Sequence, residues 1–118
     1  MSAAFTTYQL RIELARPVSV EVGRFGRHKF PAGTYVYTGS AKRNFEARVA
    51  RHLRREKTPR WHIDYLLAAP GVRIVEVTRS RRDECRWNRL TKGEVVVPGF
   101  GASDCTGGCG SHLKKLAP

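Results

Sequence analysis

Arg48, Arg51, His52 and Arg55 recur at i, i+3, i+4 and i+7, the spacing of one face of a helix. Just before them, Tyr35 and Tyr37 stand two apart, so that on a strand they share one face. Between strand and helix, Gly39 and Ser40 suit a tight turn that needs small residues or a positive φ. A phenol, an imidazole and several guanidinium groups are thereby directed at one surface. Such a surface suits an anionic substrate better than an apolar one.

The elements that must position these groups follow from the local pattern. Phe45, Val49 and Leu53 at i, i+4 and i+8 predict the buried stripe of the basic helix, with Asn44 as its N-cap and Glu46 in its first turn. Upstream, Tyr8, Leu10, Ile12 and Leu14 alternate with polar residues and predict a half-buried strand. Val18, Val20 and Val22 predict a second strand in a hairpin with the first, and His28 to Phe30 a short third. Thr34 to Thr38 predicts the strand that leads into the Gly39-Ser40 turn. Thr58-Pro59 reads as the start of a helix over Trp61 to Ala68, stopped by Pro70-Gly71. Val72 to Thr78 reads as a strand buried on both faces near its centre. Ser80 with Asp83 reads as the cap of a third helix from Arg81 to about Leu90, and Val95 to Val97 as a short strand. Clustered strands followed mainly by helices predict an α+β domain, a small antiparallel sheet flanked by about three helices. One domain spans 1–118, with a Gly- and Cys-containing tail over 98–118.

Lys and Arg number 22 against 10 Asp and Glu, a formal charge of +12, which points to nucleic acid or another polyanion as partner. A basic soluble protein without such a partner is the plainer alternative. No long basic amphipathic helix carries a Trp/Phe/Leu face, so no membrane partner is expected. With no signal-peptide pattern and no apolar run of spanning length, the expected location is the cytoplasm. Three cysteines, an odd count, speak for thiols or a metal site rather than disulfides. Cys85, Cys105, Cys109 and His112 together would make a Cys₃His set suited to zinc; three ordinary reduced cysteines are the other reading.

YTG at Tyr37 to Gly39, followed by ARVARH with Arg48 and His52, resembles the second half of the GIY-YIG nuclease signature. The first half falls on Thr6-Thr7-Tyr8, with Thr6 where that signature has glycine, and Glu84 falls where the superfamily has its metal-binding glutamate. WHIDYLL and GFGASDC…C…SHL resemble a small branch of the superfamily. The resemblance implies a metal-dependent endonuclease that hydrolyses phosphodiester bonds of nucleic acid, DNA first, with weak sequence preference. It assigns Tyr8 as acceptor of the attacking water's proton and Tyr37 as its positioner. It places Arg48 on the scissile phosphate, His52 against Tyr8 or phosphate, and Glu84 as ligand of Mg²⁺ or Mn²⁺. Magnesium needs only one or two carboxylates. A phenol serves as base only if neighbouring cations lower its pKa, a task expected of Arg48 and the metal. Lys42, Arg43, Arg51, Arg54, Arg55, Lys57 and Arg60 would contact phosphate backbone, which carries no sequence information. A nucleic-acid-binding module without cleavage, and a partner-recruiting domain in a repair complex, are the alternatives.

Overall fold

The computed structural model describes residues 5–41, 43–54, 57–101 and 109–117. The architecture is α+β: a four-stranded antiparallel sheet, a two-stranded sheet and three helices. β1 (Thr7–Leu14) is the central strand of the larger sheet. It pairs on one side with β4 (Gly33–Ser40) and on the other with β5 (Val72–Ser80), both antiparallel. β6 (Leu113–Lys115) adds to the far side of β4, giving the order β5-β1-β4-β6. As alternation requires, Tyr8, Leu10, Ile12 and Leu14 are all buried.

α1 (Phe45–Leu53) covers the Tyr8 face of β1, where Phe45 and His52 lie against the Tyr8 ring. From the opposite face Gln9 reaches Thr91, the residue after α3 (Glu84–Leu90). α1 and α3 therefore address opposite faces of the sheet, and both meet it at the end where β1 begins and β4 finishes. Among the described residues no helix is long and apolar enough to cross a membrane.

Several expectations from the sequence are corrected. β2 (Val18–Glu21) makes no hairpin with β1; it pairs with β3 (Arg27–Phe30) in the separate small sheet. The hydrogen-bonding edges of β1 are already taken by β4 and β5. β5 is an edge strand whose one buried residue is Val72; Ile74 and Val77 pack against the core while Val75 is 40% exposed, so it is not buried on both faces. In α1 the buried stripe is Phe45, Val49 and His52, while Leu53 is 52% exposed. Asn44 precedes α1 in a left-handed conformation (φ 53°) and caps nothing with its side chain. α3 is capped by Asp83, which accepts from the Arg86 amide, whereas Ser80 ends β5. Val95 to Val97 form no strand; instead Glu94 bridges to Lys115 next to β6. The C-terminal segment is more than a tail, since Phe100 and Leu113 are buried in the core and Phe100 packs edge-on to Phe30.

α2 (His62–Leu67) starts after Trp61, not at Thr58-Pro59. The reason is Asp64, whose buried carboxylate accepts from the amides of Arg60 and Trp61 at 2.8 and 3.0 Å. Its charge is balanced by Arg51 of α1, 3.0 Å away, which also donates to the Thr58 carbonyl at 2.8 Å. This pair joins α1 to α2. Removing one partner of a buried pair leaves the other uncompensated and costs about 3–5 kcal/mol. Arg51→Ala is therefore expected to lower unfolding free energy by about that amount in chemical denaturation. The double variant Arg51→Met/Asp64→Asn, which removes both charges and keeps an acceptor for the Arg60 and Trp61 amides, should recover much of the loss.

Candidate active site

At the common end of β1 and β4 a cleft of about 770 Å³ opens, lined among others by Tyr8, Tyr37, Ser40, Arg48, Trp61, His62, Glu84 and His112. These residues come from β1, β4, α1, the start of α2, α3 and the C-terminal segment. Four of the five residues singled out for chemistry, Tyr8, Tyr37, Arg48 and Glu84, line this one cleft. His52, the fifth, is buried behind Tyr8.

Tyr8 stands directly across the β1–β4 ladder from Gly39. A Cβ at Gly39 would lie 2.5 Å from the Tyr8 hydroxyl oxygen, so the phenol rests where any other residue would put its side chain. From there Tyr8 Oη meets His52 Nε2 at 2.7 Å, one of the contacts proposed for His52 from sequence. His52 is 2% exposed, and burial pushes its pKa down to about 4 against the pull of Asp64, so the imidazole is neutral at pH 7. Its Nδ1 has no hydrogen-bond partner among the described residues.

The protein groups by themselves do not bring either tyrosine toward ionisation. Burial raises the pKa of Tyr8 well above the ordinary phenol value, and Arg48, which pulls the other way, does not overcome it. Burial raises Tyr37 further still. Both phenols hold their protons at neutral pH, because loss of solvent outweighs one neighbouring guanidinium.

Arg48 donates to the Ser40 carbonyl at 2.8 Å and lies over the Trp61 ring, 4.7 Å from its centroid. Arg51 and Arg60 lie over the same ring at 4.6 and 5.1 Å. Trp61 is thus a platform shared by three guanidinium groups, of which Arg48 and Arg60 line the cleft. Glu84 Oε1 accepts from Ser40 Oγ at 2.6 Å and Oε2 from His112 Nδ1 at 2.9 Å. Burial alone would raise the Glu84 carboxyl, but the hydrogen bonds from His112 and Ser40 outweigh it and hold the group below its usual value. It is ionised at neutral pH. His62 lines the cleft with its Nδ1 accepting from the Gly101 amide at 3.0 Å and its ring stacked on Phe25. Gly101 has φ +68°, and a Cβ there would meet the Tyr37 ring at 2.8 Å, so this glycine seats Tyr37 as Gly39 seats Tyr8. Ser40, Gly39 and Gly101 were not assigned these roles from sequence, because each depends on a partner far away in the chain.

The outer basic residues divide. Arg54, Lys57 and Arg60 border a shallow basic hollow with Thr58 and Pro59, and Arg43 is exposed. Lys57 also donates to the His52 and Arg54 carbonyls at 3.1 and 2.6 Å and so closes the C-terminus of α1. Arg51 borders the same hollow, with its guanidinium also engaged by Asp64 and the Thr58 carbonyl. Lys42 and Arg55 lie outside the described residues. Of the four residues considered for zinc, Cys85, Cys109 and His112 place ligand atoms within 4.8 Å of one another, a cluster able to hold a metal ion. Cys105 lies outside the described residues.

Gly39→Ala is expected to destabilise by about 1–3 kcal/mol and to push the Tyr8 phenol off His52, measured by denaturation and by the His52 ring resonances in NMR. His52 also sets a pH dependence. Its folded pKa is below the unfolded value near 6.5, so the unfolded chain takes up a proton first as pH falls. Stability contributed by the neutral buried ring is full above about pH 6.5 and is lost progressively towards pH 4, by about 3 kcal/mol in total. His52→Gln should flatten the wild-type fall in unfolding free energy across that window.

No curated protein and no solved structure matches the chain. The family described as a domain of unknown function, DUF123, matches residues 7–118. With nearly its whole length covered by that match, the chain belongs to the DUF123 family.

Proposed function

We propose that the protein is a metal-dependent endonuclease acting on nucleic acid, DNA first, with weak sequence preference. The observation that carries the reading is the single cleft where an ionised Glu84, the Arg48 guanidinium and the Tyr8–His52 pair meet. The order of Tyr8, Tyr37 to Gly39, Arg48, His52 and Glu84 along the chain, similar to the GIY-YIG signature, supports it, as does the formal charge of +12.

Magnesium or manganese fits the donor set on chemical grounds. Glu84 presents a charged carboxylate, its side chain 29% exposed at the cleft wall, and Mg²⁺ needs no more than one or two carboxylates beside water and substrate phosphate. When bound, such an ion supplies charge neutralisation at the phosphate and at the leaving oxygen. The remaining work falls to the chain. Arg48, oriented by Trp61 and the Ser40 carbonyl, holds a phosphate oxygen and stabilises the charge that grows on it. Because burial favours the protonated Tyr8 phenol, proton removal takes a paired form. With the imidazole proton on Nδ1, Tyr8 Oη accepts the proton of the attacking water as its own passes to His52 Nε2. Asp64 offsets part of the cost that burial places on the imidazolium that results. Tyr37, packed beside His52, limits where water can stand.

Thr6, which stands where the signature has glycine, favours a second reading, a binding module that has kept the cleft and lost cleavage. A nicking assay with mixed nucleic-acid substrates in Mg²⁺ or Mn²⁺ separates the two. Glu84→Gln is expected to lower cleavage by roughly 10²–10³-fold while leaving most affinity intact, because the lysines and arginines dominate backbone binding. Arg48→Ala should lose rate and affinity together. Cleavage by Glu84→Gln at the wild-type rate would overturn the assignment of Glu84. Salt-dependent binding with no cleavage by the wild type on any substrate would leave the binding module.

A further inference from the structure

The cluster beside Glu84 has an organisation of its own. Cys85 is on α3, immediately after the carboxylate that faces the cleft, while Cys109 and His112 are on the C-terminal segment that returns to the sheet. We propose that Cys85, Cys109 and His112 form a binding site for a soft divalent cation, zinc by its chemistry, which clamps the C-terminal segment onto the helix that carries Glu84.

The distances are close to what such an ion demands. Tetrahedral zinc with bonds of about 2.3 Å to sulfur and 2.0–2.1 Å to nitrogen keeps its ligand atoms roughly 3.4–3.8 Å apart. The three ligand atoms here already lie within 4.8 Å of one another, so closure needs side-chain movements of about 1 Å rather than a change of fold. Two thiolates and an imidazole select zinc over magnesium or calcium, which take oxygen ligands.

A second observation concerns His112. Its Nδ1 faces two acceptors, Glu84 Oε2 at 2.9 Å and the Thr38 carbonyl at 3.1 Å. A nitrogen between a carboxylate and a carbonyl carries the proton, so in the neutral ring the lone pair falls on Nε2. That is the tautomer that ligates a metal, and a carboxylate behind a histidine is the usual outer partner that orients it and raises its basicity. The ring is 2% exposed, and its backbone is tied to β4 by the Thr38 amide donating to the His112 carbonyl at 2.9 Å. The neighbouring Ser111 carbonyl accepts from Asn88 of α3 at 2.7 Å. One ligand is thus set in place by the sheet and another by α3, before any ion arrives. Glu84 then has two neighbours of different kind: the cleft on one side and the histidine of this site on the other. The proposal stands on the cluster and does not depend on the hydrolytic reading.

The test uses the tag-free, reduced full chain titrated with Zn²⁺ and, separately, Co²⁺. One equivalent should bind, and the cobalt form should show thiolate-to-metal charge-transfer absorption with the strong visible bands of tetrahedral coordination. Cys85→Ser and Cys109→Ser should each weaken binding and reduce the charge-transfer band. Glu84→Gln should keep the one-to-one stoichiometry and the charge-transfer band while losing about 10–100-fold in affinity, as loss of an outer partner does. Wild-type protein that binds no equivalent of either ion, or that gives a cobalt spectrum without thiolate bands, would overturn the site, and neither result requires a variant to fold. Cys85→Ser and Cys109→Ser that bind like wild type would overturn it as well. Because the readout is metal binding, its failure would leave the cleavage assay untouched, and loss of cleavage would leave the site intact.

Discussion

The phenol of Tyr8 occupies the space that a side chain on its cross-strand neighbour would fill, and that neighbour is Gly39. The rest of the site depends on this contact. It lets the ring reach across the end of β4 and touch His52, and it is possible only in one register of β1 against β4. A slip of one residue would send Tyr8, Leu10 and Ile12 to the other face of the sheet. The hydrophobic alternation of β1 therefore both builds the core and aims the phenol. Gly101 repeats the device for Tyr37 from the C-terminal segment, with a positive φ that a bulkier residue would resist.

Around that contact, burial and charge compete, and burial wins wherever a group is removed from water without an adequate partner. His52 and the two tyrosines are driven neutral although arginines and carboxylates stand close by. Glu84 goes the other way because two short hydrogen bonds meet its oxygens and because it keeps part of its surface. The cleft thus sets an ionised carboxylate and a guanidinium on its wall against neutral proton carriers beneath it. This separation suits chemistry on an anion, where charge is needed at the surface and proton transfer just behind it.

Arginine has two uses in this chain that composition does not distinguish. Arg51 is an internal strut, balancing the buried Asp64 that also caps α2. Arg48, one turn earlier on the same helix, shares the Trp61 ring with it but is directed into the cleft. The excess of +12 is a property of the whole surface. Which of those charges are held inside and which are directed into the cleft is decided by where Asp64 and Trp61 sit.

The sequence by itself determined the strands of β1 and β4, the amphipathic helix between Phe45 and Leu53, the α+β class, and the list of groups that could do chemistry. Each of these is written in the period of apolar residues or in residue type, and both are local. Only the tertiary structure decided which strands pair, for a valine-rich strand such as β2 has the same alternation whether its partner is β1 or β3. It decided that His52, not Leu53, faces the core, because a hydrogen bond to Tyr8, distant in the chain, makes burial of an imidazole tolerable. It set the protonation of Tyr8 and His52, since desolvation depends on every element packed over a group and not on its neighbours in sequence. β6 escaped the reading because three residues, Leu113 to Lys115, are too short to show a period, and its place in the sheet comes from β4 alone.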